Sequence, residues 1–125
     1  MSAKVKTFES LRDIRPHALN KGITARAVQG ERMTMAVVDV DPDTVMPEHH
    51  HENEQLGFVV AGSLTMVIGG ESRELHPGDT YTVPSHVPHH IVVGPKGCTL
   101  LDVFAPVRAD WEQLPRLDPS PGFWP

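Results

Sequence analysis

The chain has one cysteine in 125 residues. That rules out an internal disulfide, and a lone thiol is expected in a reducing compartment, so the chain is read as cytoplasmic. No apolar run approaches the ~20 residues that a membrane-spanning helix needs. Residues 1–6, Met-Ser-Ala-Lys-Val-Lys, lack the apolar stretch of a secretory signal. Positive charge is also scarce: 11 Lys and Arg stand against 16 Asp and Glu, a formal charge of −5 with neutral histidine. This argues against a nucleic-acid surface. Neither nucleic acid nor membrane is an expected partner. The middle of the chain has no convincing helical periodicity.

The chain is instead rich in turn residues, with 12 prolines and 10 glycines. Between them lie short runs of β-branched and apolar residues. Residues 23–29, 33–40, 56–61, 64–68, 71–75, 80–83, 91–93 and 99–104 read as strands. Gly62-Ser63 and Gly69-Gly70 are read as hairpin turns, and Asp41-Pro42-Asp43 and His76-Pro77-Gly78-Asp79 as further turns. Many short strands with glycine turns imply an all-β sandwich or barrel, here a jelly roll. The length suits one domain. Its barrel core is expected over about residues 22–106, with an N-terminal arm over 1–21 and a proline-rich tail over 115–125. Arg108 to Leu114 reads as one helical turn with Trp111 inward. Phe123 and Trp124 are odd in a loose tail, which is read either as disordered or as docked on the domain or a second subunit.

Seven of the eight histidines fall between positions 49 and 90. Three stand together in Glu48-His49-His50-His51-Glu52-Asn53-Glu54-Gln55. Alternation along an extended chain puts His49 and His51 on one face and His50 on the other. Two imidazoles on one face can reach a single metal ion, and an amide or carboxylate oxygen can join them. Glu48, Glu52 and Glu54 read as solvated rim charges. Glu54 becomes the alternative fourth donor if the register slips by one.

Two stretches together resemble the paired motifs of the cupin superfamily, the conserved barrel of the cupin 2 type. His49, His51, Gln55 and Gly62 match the first motif, with Gln55 where most members have Glu. Gly78, Pro84 and His89 match the second, with His86 in place of its middle glycine and Val93 where an Asn is often found. The resemblance implies a jelly-roll (double-stranded β-helix) barrel and one divalent transition metal ion, Zn, Ni, Mn or Fe, on His49, His51, Gln55 and His89. It also implies a homodimer, and residues up to about Val28 are expected to cross to the partner copy.

Period two puts Leu100, Asp102 and Phe104 on one face of the last strand. If that face lines the barrel, a carboxylate sits in an apolar, metal-bearing cavity, where it can act as general acid or base. The competing reading turns Asp102 to solvent and buries Leu101 and Val103. Arg108 can hold a substrate carboxylate in a bidentate fork or be a plain surface charge. His86 can touch a ligand at the mouth or merely finish a loop.

The set His49, His51, Gln55 and His89, with Asp102, Phe104 and Arg108, is similar to one cupin branch: the pectin-degradation cupins that linearise unsaturated uronates. That similarity implies catalytic roles for Asp102 and Arg108, with Phe104 facing a small anionic sugar-derived substrate. Two alternatives remain at this point, a metal-dependent dioxygenase and a non-catalytic sugar- or effector-binding module.

Overall fold

The computed structural model describes residues 6–124. The first five residues of the expected arm and the last residue of the expected tail lie outside the described residues. Eight strands follow in chain order: β1 His17–Asn20, β2 Ile23–Gln29, β3 Thr34–Val40, β4 Val45–His49, β5 Glu54–Ile68, β6 Glu71–Leu75, β7 Thr80–Val83 and β8 His89–Ala105. Two short 3-10 turns flank them, at Leu11–Asp13 and Ala109–Gln113. All the pairings are antiparallel.

The architecture rests on β5 and β8, each long enough to belong to two sheets. The first half of β5 and the second half of β8 pair with each other, with β7 and β3 outside them and β2 and β1 beyond β3. The second half of β5 and the first half of β8 also pair, flanked by β6 and β4. The two sheets therefore share their central strands and close over one core, the jelly-roll barrel expected from the sequence.

One expected hairpin and one expected pair of separate strands are corrected here. Residues 56–61 and 64–68 were expected as a hairpin across Gly62-Ser63, but they are one bent strand. Residues 91–93 and 99–104 likewise form one strand, with 94–97 bulging between them. The bend needs Gly62, which has φ +76 and lies against β8, where a Cβ would sit 2.8 Å from Cys98 Cα. Glycine there marks close approach between two strands. The Gly69-Gly70 hairpin forms as expected, joining β5 to β6.

Inward residues come chiefly from alternate positions on β2, β3, β5 and β8. Ile23, Ala25, Ala36, Val38, Val40, Val59, Leu64, Met66, Ile91, Val93 and Leu100 build the core. The expected N-terminal arm is in part sheet, because β1 pairs with β2 of its own chain. Residues 115–117 then lie along the N-terminal segment: Ala18 N–H donates to Pro115 O, Leu117 N–H donates to Pro16 O, and Arg15 donates to the carbonyls of Arg116 and Leu117. This holds the 109–113 turn against the barrel, with Trp111 buried as expected. The tail docks on its own domain: Arg26 donates to Trp124 O, and Gly122 packs over Arg26 and Asp39. The rings of Phe123 and Trp124 stay exposed.

Candidate metal centre

Cross-strand registry brings the histidines together. His49, the last residue of β4, lies opposite His89 at the start of β8, and His89 lies opposite Ile68 on its other side. His51 follows two residues after His49 in the loop that leads to β5. The ring centroids are 4.2 Å apart for His49 and His89, 4.8 Å for His51 and His89, and 5.8 Å for His49 and His51. One nitrogen from each lies within 4.8 Å of the others. A single ion can bridge such a set.

Each ring is held by a carbonyl two residues away. Nδ1 lies 2.9 Å from Pro47 O in His49, 2.9 Å from Asn53 O in His51 and 2.8 Å from Val87 O in His89. A carbonyl only accepts, so Nδ1 carries the proton in all three rings. Nε2 is left with a free lone pair, the tautomer a metal needs. Burial lowers the His51 pKa, with the Arg108 charge adding to it, and brings His89 down to about 4.

The fourth donor comes from β5. Gln55 is buried, and its Oε1 lies 3.2 Å from His51 Nε2. Its Nε2 donates to Asp102 Oδ1 at 3.1 Å, which fixes which end of the amide faces the imidazoles. Oε1 and His51 Nε2 are then two acceptors face to face with no proton between them. A cation relieves that opposition, so the donor set fits a divalent metal on its own geometry. Glu54, the alternative under a slipped register, points out and is exposed, as are Glu48, His50 and Glu52.

Asp102 is inward, only 4% exposed, while Leu101 and Val103 are half-buried on the outer face. It accepts from Gln55 and from Tyr81 Oη, at 2.7 Å, and both bonds go to Oδ1. Among the described residues Oδ2 has no hydrogen-bond partner, and Asp102 lines the cavity. Burial raises the Asp102 pKa to about 6, against the lowering effect of the Tyr81 and Gln55 hydrogen bonds and the Arg108 charge.

The cavity holds about 210 Å³, with the three imidazoles, Gln55, Asp102 and Arg108 set among apolar side chains. Phe104 is neighbour to Gln55 across β5 and β8 and packs edge-on to His51 at 5.9 Å. The Arg108 guanidinium stacks 4.8 Å above Phe104 and 4.7 Å above Trp111. Asp110 grips it bidentately, at 3.0 Å on Nε and 2.9 Å on Nη2, and the guanidinium holds the Asp110 carboxyl below its usual range. The Arg108 backbone is anchored by its N–H to Thr34 Oγ1 at 2.9 Å and by Gln29 Nε2 to its carbonyl at 3.1 Å. Nη1 is therefore the free part of the fork.

His86 is not brought to this cavity. With φ +66 it is exposed in the 85–88 loop, its ring 6.3 Å from that of His50. Its backbone N–H bonds to His51 O at 2.8 Å, so its place is to close the loop over the histidine segment. Sequence reasoning missed Asn53 and Tyr81. Asn53 Nδ2 donates to Pro106 O at 2.5 Å, tying the histidine loop to the segment that carries Arg108. No pattern in the sequence marked it. The signal for Tyr81 was a glycine, Gly57, directly opposite it on β5.

Comparison with known proteins agrees with this fold. The chain is 40% identical over 65 residues to the pectin degradation protein KdgF of Dickeya dadantii, a match covering 52% of this chain and 59% of that protein. It superposes on the structure of KdgF from Halomonas sp. with TM-score 0.70 and 31% identity, covering 76% of this chain and 90% of that one. An RmlC-like cupin from Shewanella frigidimarina gives TM-score 0.79 at 25% identity, covering 85% and 96%. Residues 36–104 match the family described as the cupin domain, and the chain belongs to the cupin family.

Proposed function

We propose that this chain is a metal-dependent enzyme that converts ring-form 4,5-unsaturated uronates, or close anionic relatives, into linear keto sugars. The observation that carries the reading is the free Asp102 Oδ2, which faces the same apolar cavity as three convergent imidazoles and an arginine with donors to spare. The likeness to two KdgF proteins supports the substrate class. His49, His51, Gln55 and His89 would hold the ion, which as a Lewis acid would polarise a hydroxyl or carbonyl oxygen.

The residues do the rest. Arg108 Nη1 binds the substrate carboxylate, and its stacking on Phe104 and Trp111 sets the approach. Asp102 Oδ2 takes the proton of the anomeric hydroxyl. The ring C–O bond breaks as the aldehyde forms, and its electron pair passes to the enolate oxygen. Return of the proton to the carbon end of the enolate gives the ketone. No atom is gained and no electron leaves, so no co-reactant is required. A neutral amide in the donor set keeps more positive charge on the ion than a carboxylate would, which favours Lewis-acid work over dioxygenase chemistry.

The test is turnover of a 4,5-unsaturated uronate monomer by protein of known metal content, with oxygen uptake followed in parallel. Loss of the enol absorbance without oxygen uptake is expected. Oxygen consumption, or binding without turnover, would overturn the reading. A homodimer belongs to the same reading, supported by symmetric pairing as the commonest assembly of such chains. Light scattering at micromolar concentration should give twice the chain mass of 13.8 kDa.

A further inference from the structure

Gly57 stands in the interior of β5, where a glycine weakens a strand. It lies directly opposite Asp102 on β8 and directly opposite Tyr81 on β7. Residues facing each other across a sheet share a face. A Cβ at Gly57 would be 2.6 Å from Tyr81 Cε1 and Cζ and would collide with Asp102 Oδ1. The tyrosine ring and the carboxylate thus lean over bare backbone to meet. On the far side of Asp102 the row continues with Ala36 and Ala27, both small. The sheet is cleared on both sides of one buried carboxylate.

Tyr81 is buried and lies outside the lining of the metal cavity. Its hydroxyl has one partner, Asp102 Oδ1. The terminal torsion of an aspartate is soft and roughly two-fold. With Gln55 as the only donor, either oxygen could take that bond and the other could drift. Two donors on one oxygen, one from β5 and one from β7, remove the ambiguity. The same contact also decides the Gln55 amide, since a flipped amide would set its oxygen against a carboxylate.

We propose that Tyr81 is a positioning residue of this centre: through Asp102 Oδ1 it holds the Gln55 oxygen toward the imidazoles and leaves Asp102 Oδ2 facing the cavity. The inference rests on the metal-centre reading above. Tyr81 touches neither metal nor substrate, and its ring is ordinary core. The hydroxyl alone carries the role.

The experiment compares wild type with Tyr81→Phe in the full chain. Metal is stripped, Co(II) is titrated in against a competing chelator, and the visible spectrum is recorded. Loss of an outer hydrogen bond of this kind typically costs about 10–100-fold in metal affinity or activity. A Co(II) affinity weaker by about that factor and a changed ligand-field spectrum are expected. The metal-free protein should still fold and melt cooperatively, because the ring packing remains, with a lower midpoint from the lost charge-assisted bond. In an Asp102→Ala background, Tyr81→Phe should change nothing further, since the hydroxyl acts only through that carboxylate. Gly57→Ala, which pushes ring and carboxylate off the backbone, should reproduce the spectral change. A wild-type spectrum and affinity in Tyr81→Phe would overturn the assignment while leaving the metal centre intact. Failure of wild type itself to take up Co(II) would overturn both.

Discussion

Asp102→Asn separates an enzyme from a binder, and the structure says how the swap should behave. Both donors to this side chain, Gln55 Nε2 and Tyr81 Oη, reach Oδ1. The asparagine carbonyl can take that place and keep both bonds. The reverse orientation would set an amide N–H₂ against two donors, so the new nitrogen must occupy the position of Oδ2. Each bond falls from a charge-assisted value of about 1.5–3 kcal/mol to about 0.5–1.5 kcal/mol. Removing a charge that is only 4% exposed offsets this loss. Fold and metal content should therefore survive, with stability changed by no more than about 2 kcal/mol. What goes is the cavity-facing base. General acid–base catalysis is worth about 10²–10⁴-fold, so kcat should fall by that factor. The assay is turnover of an unsaturated uronate, with metal content and melting curve measured on the same preparations. Activity within threefold of wild type would refute Asp102 as the base. Loss of metal together with activity would make it a scaffold instead.

Arg108→Lys keeps the charge but loses the fork and the stacking on Phe104 and Trp111, so KM for an anionic substrate should rise about 10-fold while kcat moves less. Steady-state kinetics against a neutral analogue checks it, since that analogue should be insensitive. Trp111→Ala removes a 3%-exposed ring that packs on Phe104 and His17 and carries Arg108, and should cost about 3–5 kcal/mol in chemical denaturation. Cys98 is buried, and burial with the nearby Asp102 and Asp39 carboxylates pushes its thiol up to about 12. It should resist a thiol reagent at pH 8 until the protein is unfolded, then titrate as one thiol. Rapid native labelling would show that β8 opens.

The fold was legible because its signals are local. Alternation and turn residues mark six of the eight strands, all but β1 and β4, and the resemblance to the cupin motifs names His49, His51, Gln55 and His89 as one set. The continuity of β5 and β8 was not legible. Gly62 looks like a hairpin turn in sequence, and only its approach to Cys98 reveals a bend. The path of residues 15–20 was also hidden, because besides β2 that segment is held by Pro115 to Leu117, at the other end of the chain. In the site, period two put Asp102 and Phe104 on one face, and the fold turns that face inward. His86 misled for a physical reason: its positive φ turns it out of the cavity, at the position where the motif usually has glycine. Tyr81 was missed because its partner lies 21 residues away and the one signal, Gly57, is a side chain that is absent.

Gln55 and Asp102 are best understood as one choice. A glutamate at position 55 would direct one carboxylate oxygen at the imidazoles and the other at Asp102 Oδ1, where Gln55 now donates at 3.1 Å. Two buried carboxylates at that distance cannot both ionise. One would hold a proton, and the pair would lose either its metal donor or its free base. The amide avoids the conflict by being acceptor on one end and donor on the other. On the proposed reading, the negative charge that a glutamate would place on an ion is carried instead by Asp102, one hydrogen bond further back, where its second oxygen would stay free for substrate. A centre built this way would give up ligand charge for a base held beside the metal. That arrangement suits proton transfer at a polarised oxygen, and it explains why the glutamine, the aspartate, the tyrosine behind it and the glycine beneath them occur together on three neighbouring strands.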